Sequence, residues 1–121
     1  MKTIQIDREV LSTLYGGCHE SMNEVFTEFL SGYSELKQNL FAAFDSGSLS
    51  SLKRLLHFHG PSFMYLGIPL VAGMFKDLEL KCSFGDNNHF SLSADFKTLM
   101  VAVEESWLQV AGETDCLKKA V

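Results

Sequence analysis

The chain has only two prolines in 121 residues, Pro61 and Pro69, and both fall in its middle third. Sustained alternation of Val, Ile and Thr is missing, so no stretch reads as a strand. Basic residues are few and dispersed: ten Lys and Arg stand against fifteen Asp and Glu, and no basic block is longer than Lys118-Lys119. Nucleic acids and anionic membranes are bound chiefly through clustered Lys and Arg, so neither is an expected partner. No apolar run approaches the ~20 residues of a membrane span, and residues 1–7 lack a signal-peptide core. The three cysteines (Cys18, Cys82 and Cys116) are odd in number and without CxxC spacing, which argues against a disulfide framework. A Ser-His-Asp order, an HExxH helix, a Gly-rich phosphate loop and zinc-like Cys/His spacing are all absent, so no metal or cofactor is expected. What remains is 46% hydrophobic and 21% charged with a net charge of −5, the balance of an ordinary globular domain. This length suffices for one domain with one core. The expectation is a reduced, soluble, cytoplasmic protein, with monomer as the default state.

Apolar residues recur at spacings of three and four. Met22, Phe26, Phe29, Tyr33, Leu36, Leu40 and Phe44 form one stripe, and Leu49, Leu52, Leu56, His59, Phe63 and Leu66 a second. Val71, Met74, Phe75, Leu78 and Cys82 form a third; Leu92, Phe96, Leu99, Val103, Trp107 and Val110 form a fourth. Helices with one apolar face must bury those faces against one another.

The punctuation fits four long helices behind a short one. Asp7 can cap a first helix that Gly16-Gly17 stops. Asp45-Ser46-Gly47-Ser48 breaks the chain and offers Ser48 as the next N-cap. Gly67 ends the third element, and Pro69 stands where a first-turn proline is tolerated. Gly85-Asp86-Asn87-Asn88 reads as a turn, after which Ser91 can cap the last helix. Short connections imply antiparallel neighbours, hence an all-α fold: an antiparallel up-down four-helix bundle with a short extra N-terminal helix. One domain is expected over residues 1–112, with a frayed tail at 113–121.

His57 and His59 are two residues apart, which turns them roughly 200° from one another on a helix. They cannot both face the core, nor chelate one metal together. His59 keeps register with Leu52, Leu56, Phe63 and Leu66, and is read as a packed, hydrogen-bonded structural histidine. His57 falls off that stripe, beside Lys53 and Arg54. It is either an ordinary surface histidine or a nucleophile on a rigid helix. Pro61 cannot donate to the carbonyl of His57, four residues back, so the helix should bend there. Gly60 would leave a bare patch for the close approach of another backbone. His19 and His89 read as surface or capping residues. Glu20, Glu24, Glu28 and Glu35 read as the solvated face of the second helix.

The stretch Leu52-Lys53-Arg54-Leu55-Leu56-His57, followed nine and ten residues later by Leu66-Gly67, resembles histidine-containing phosphotransfer (HPt) domains. The likeness extends over about residues 5–110 and includes Ile6-Asp7-Arg8-Glu9-Val10-Leu11 and Leu14-Tyr15-Gly16-Gly17 at the start. Pro61 to Gly67 is similar to a subgroup with proline where most members have glycine. The resemblance implies that His57 is the phospho-acceptor. It departs in two places: the lysine usual three residues after the histidine is Gly60, and the leucine usual two after it is His59. Lys53, one turn before His57, is the candidate for the missing positive charge.

The resemblance further implies a phosphorelay carrier rather than an enzyme. Its partners would be response-regulator receiver domains, with a hybrid histidine kinase as a further partner. Neutral imidazole is nucleophilic near neutral pH and needs no neighbouring base. The receiver supplies Mg²⁺ and most catalytic groups; the carrier brings the nitrogen and a docking surface. Candidates for that surface are Arg54, Phe58, Gly60, Pro61, Met64 and Tyr65, with Gly67 structural. The alternative is a phosphorylation-incompetent HPt-like module that binds a receiver or kinase. A third reading, a ligand- or metal-binding bundle, has only His59 and Cys82 as inward-facing candidates.

Overall fold

Asp7 begins the first helix through its side chain, whose Oδ1 accepts the backbone N–H groups of Glu9 (3.0 Å) and Val10 (3.3 Å). That cap is worth about 1 kcal/mol. Helix α1 (Arg8–Tyr15) then stops at Gly16, which adopts the left-handed conformation. The structure, a computed structural model, describes residues 4–83 and 89–119. Within them the chain continues as α2 (His19–Asp45), α3 (Leu49–His59), the one-turn α4 (Ser62–Tyr65), α5 (Pro69–Ser83) and α6 (His89–Lys119). There is no strand among the described residues. No described helix is long and apolar enough to cross a membrane.

Ser48 caps α3 as expected, its Oγ accepting from Ser51 N–H at 3.3 Å. Pro69 opens α5, where its missing N–H costs nothing because first-turn donors have no helical partner. Ser91 is not a cap: α6 begins two residues earlier, at His89. The expected turn at 85–88 lies outside the described residues.

The apolar stripes converge on one core. Phe26, Leu40, Leu52, Leu56, Phe63, Val71, Phe75, Phe96 and Val103 are fully or almost fully enclosed. Phe44 and Phe96 stack face to face with centroids 4.3 Å apart, and Phe63 leans on Phe75 at 4.9 Å. Burying side chains of this kind supplies roughly 1.5–3 kcal/mol each. The buried hydroxyls are satisfied within α6: Ser106 donates to Ala102 O and Thr114 to Val110 O.

Contacts run in a cycle: α2 on α3, α3 on α5, α5 on α6, and α6 back on α2. Tyr33 meets Trp107 while Phe41 and Phe44 meet Phe96, so α2 and α6 run in opposite senses. Gly60 lies against Phe75 and His57 against Glu79, so α3 and α5 do likewise.

Two expectations give way. The third element is not one bent helix. With no N–H on Pro61, α3 ends at His59 and a separate turn, α4, follows after Gly60 and Pro61. The last helix also extends past residue 112: α6 runs to Lys119. Glu113 holds Arg8 through two bonds of 2.7 and 2.9 Å, and Thr114 is buried. Glu113 thus ties α6 to the first residue of α1.

Candidate functional site

His57 is held in place by the rigidity of α3 and by what α5 sets opposite it. Leu52 and Leu56 anchor α3 in the core at 1% exposure each. His57, one step past Leu56, projects outward with 79% of its side chain exposed. Its Nδ1 lies 3.2 and 3.3 Å from the two carboxylate oxygens of Glu79 on α5. A carboxylate can only accept, so Nδ1 carries the proton and the lone pair is left on Nε2. This gives an exposed histidine whose Nδ1 faces a carboxylate and whose Nε2 makes no hydrogen bond among the described residues.

Glu79 had no place among the candidates read from the sequence. Its only local mark is its position at the edge of the α5 stripe, four residues after the buried Phe75 and next to Leu78. The pairing with His57 depends on the register between two helices, which local spacing does not contain.

The cations beside His57 are available. Lys53 and Arg54 are both exposed, and neither forms an ion pair among the described residues. Lys53 acts electrostatically on Cys82 of α5, against the burial that pushes that thiol pKa up. It therefore lies along the same α3–α5 edge as His57.

In the segment that follows His57, four of the candidates for a docking surface are exposed: Phe58 (74%), Tyr65 (52%), Met64 (41%) and Pro61. Gly60 does not join them. It is buried, and a Cβ there would stand 3.1 Å from Phe75 Cβ and 2.9 Å from Leu56 O. The glycine therefore lets α3 and α5 approach, rather than exposing bare backbone to a partner. The same crowding leaves no room for the lysine that resembling domains carry.

Gly67 has the structural part expected of it. At φ +77° it takes a left-handed turn, and a Cβ would meet Leu11 at 2.9 Å. Its carbonyl accepts Asp7 N–H at 2.7 Å, and Tyr15 OH donates to Tyr65 O at 2.6 Å. Helix α1 is thereby fastened to the segment that follows His57.

His59 turns to the opposite side of α3, in register with the core but only half-buried. The expected hydrogen bond is not made among the described residues; the ring meets Phe58 edge to face at 4.9 Å. Burial lowers its pKa against the opposing pull of Glu35. Cys82 is buried on the other side of α3, beside Lys53 and Glu79. Among the described residues, no group of three or more His, Cys, Asp and Glu is placed to hold a metal.

Compared with known proteins, the chain matches no family model, no curated protein and no solved structure.

Proposed function

We propose that this protein is a histidine phosphotransfer carrier that works between receiver domains of a two-component phosphorelay. The observation that carries the reading is the exposed His57 with Nδ1 committed to Glu79. In the proposed step, the lone pair of Nε2 attacks the phosphorus of a receiver aspartyl phosphate. The N–P bond forms as the bond from phosphorus to the aspartate oxygen breaks, and the carboxylate leaves with the electron pair. The imidazole gains positive charge as it does so, and the Glu79 carboxylate on Nδ1–H balances it. Lys53 and Arg54 stand on the same helix to attract the incoming phosphoryl oxygens. The receiver contributes Mg²⁺, and transfer to a second receiver reverses the step.

The protein is modified rather than turning over by itself, so it is a carrier and not an enzyme. Exposed Phe58, Pro61, Met64 and Tyr65 form the docking rim for a transient partner, a receiver or a hybrid kinase. The cycle of contacts among α2, α3, α5 and α6, with opposed senses in the pairs described, supports an antiparallel up-down four-helix bundle fronted by α1. A monomer in the cytoplasm suits this role.

One observation favours a second reading. Gly60 occupies the usual position of a phosphoryl-steadying lysine and packs too closely on Phe75 to be replaced by one. A module that docks a receiver or kinase without accepting phosphate would tolerate that loss. Incubation with a phosphorylated receiver separates the two: a carrier gains an acid-labile, base-stable phosphate, whereas a docking module only associates.

A further inference from the structure

On the side of α3 away from Glu79, a cavity of about 550 Å³ opens between α2 and the α3–α4 segment. Small-molecule sites typically enclose roughly 300–1,000 Å³. Its walls are aromatic. Phe29 and Phe63 meet edge to face at 5.5 Å inside it, and Phe58 and Tyr65 stand exposed at its rim.

Gly32 also lines the cavity, in the interior of the 27-residue α2. A glycine there weakens the helix relative to alanine. Packing does not call for it, since a Cβ at Gly32 would meet nothing within 4 Å. It leaves that part of the cavity wall without a side chain.

The polar lining is of one sign. Glu28 and His59 face the space, with Glu35 close enough to act on the His59 ring. Neither carboxylate forms an ion pair among the described residues. Burial keeps His59 neutral at physiological pH, so it does not offset them. Aromatic faces attract cations through their quadrupoles. An anion would be repelled by Glu28, whereas a cation would be drawn to it.

We infer that this cavity is a binding site for an organic cation, an ammonium group carried on an apolar aryl or alkyl body. The inference uses neither His57 nor Glu79 and holds whether or not the protein carries phosphate.

The test is titration of the isotopically labelled full chain, followed by amide NMR, with three soluble probes of similar body: benzyltrimethylammonium, benzyl alcohol and phenylmethanesulfonate. The quaternary ammonium has no titration of its own. It should move the amides of Gly32, His59 and Ser62 in one saturable curve, roughly 10-fold tighter than benzyl alcohol, while the sulfonate moves none of them. Glu28→Gln should weaken the ammonium by roughly 5-fold and leave the alcohol unchanged. Gly32→Leu, whose Cβ meets nothing within 4 Å and whose side chain adds bulk at the cavity wall, should weaken both. Equal affinity for alcohol and ammonium, shifts that map elsewhere, or no saturation by about 10 mM ligand would each overturn the assignment.

Discussion

His57 and His59 stand two residues apart on one helix and occupy opposite surroundings. His57 is 79% exposed, among charges, with a carboxylate on one ring nitrogen. His59 is half-buried among aromatic rings, with no described hydrogen bond and a pKa lowered by burial. The intervening turn of roughly 200° is what separates a nucleophile from a wall of the cavity. On the proposed function, accessibility rather than residue type distinguishes the acceptor imidazole from its neighbour. The α3–α5 edge carries the exposed His57 and its Glu79 contact, while the α2–α3 face encloses a space.

The sharpest way to break this contrast is to force the missing lysine back. Gly60→Lys would drive a side chain into Phe75 and the Leu56 carbonyl, and overpacking of this kind costs about 2–3 kcal/mol. Denaturant unfolding should show a lowered midpoint with no gain in phosphoryl acceptance. A lysine accommodated without loss of stability would show that the two helices have slack the close contact denies.

Removing the orienting carboxylate sharpens the comparison from the other side. With Glu79→Ala, His57 should lose its fixed tautomer and its rate of acceptance should fall roughly 10-fold. Ring nitrogen NMR distinguishes this from a packing effect: the Nδ1–H form should dominate in the wild type and share with the Nε2–H form in the variant. An unchanged tautomer ratio would remove Glu79 from the account.

A smaller effect is expected from Lys53→Ala, a drop of roughly 3- to 5-fold in transfer rate at low salt that shrinks as salt screens the charge. Equal rates at all ionic strengths would mean that Lys53 does not attract the phosphoryl group.

The smallest effect belongs to His59. Its folded pKa lies below the unfolded value of 6.5, so the unfolded chain binds more protons on acidification. The contribution of His59 is present above pH 6.5 and is lost as pH falls through the lower folded value. Thermal unfolding at pH 7.5 and 5.5 should show a slightly steeper acid loss in the wild type than in His59→Gln. A steeper loss in the variant would reverse the sign of the burial argument.

The helix faces were legible in the sequence because core burial repeats with the helical period. Leu52, Leu56, Phe63 and Leu66 are buried in the register expected. Asp7, Ser48 and Gly67 were legible because caps and left-handed turns have local chemistry. The inward direction of Gly60 was not: whether a glycine bares a surface or admits a neighbouring helix depends on Phe75, fifteen residues away. Glu79 was hidden for the same reason. The extent of α6 was hidden because its end has no stripe of its own and Arg8, which Glu113 binds, lies 105 residues earlier in the chain. The exposure of His57 followed from the stripe it misses, whereas the cavity beside His59 required the packing of α2.

The most direct test of the central claim is phosphoryl transfer from a phosphorylated receiver, with the label mapped by mass spectrometry in the wild type, His57→Gln and His59→Gln. The account predicts an acid-labile phosphate on the peptide holding His57, absent from His57→Gln and retained by His59→Gln. Label that survives in His57→Gln would contradict it and move the chemistry to the other face of α3. Binding of the receiver without any label would make the exposed edge a docking surface alone.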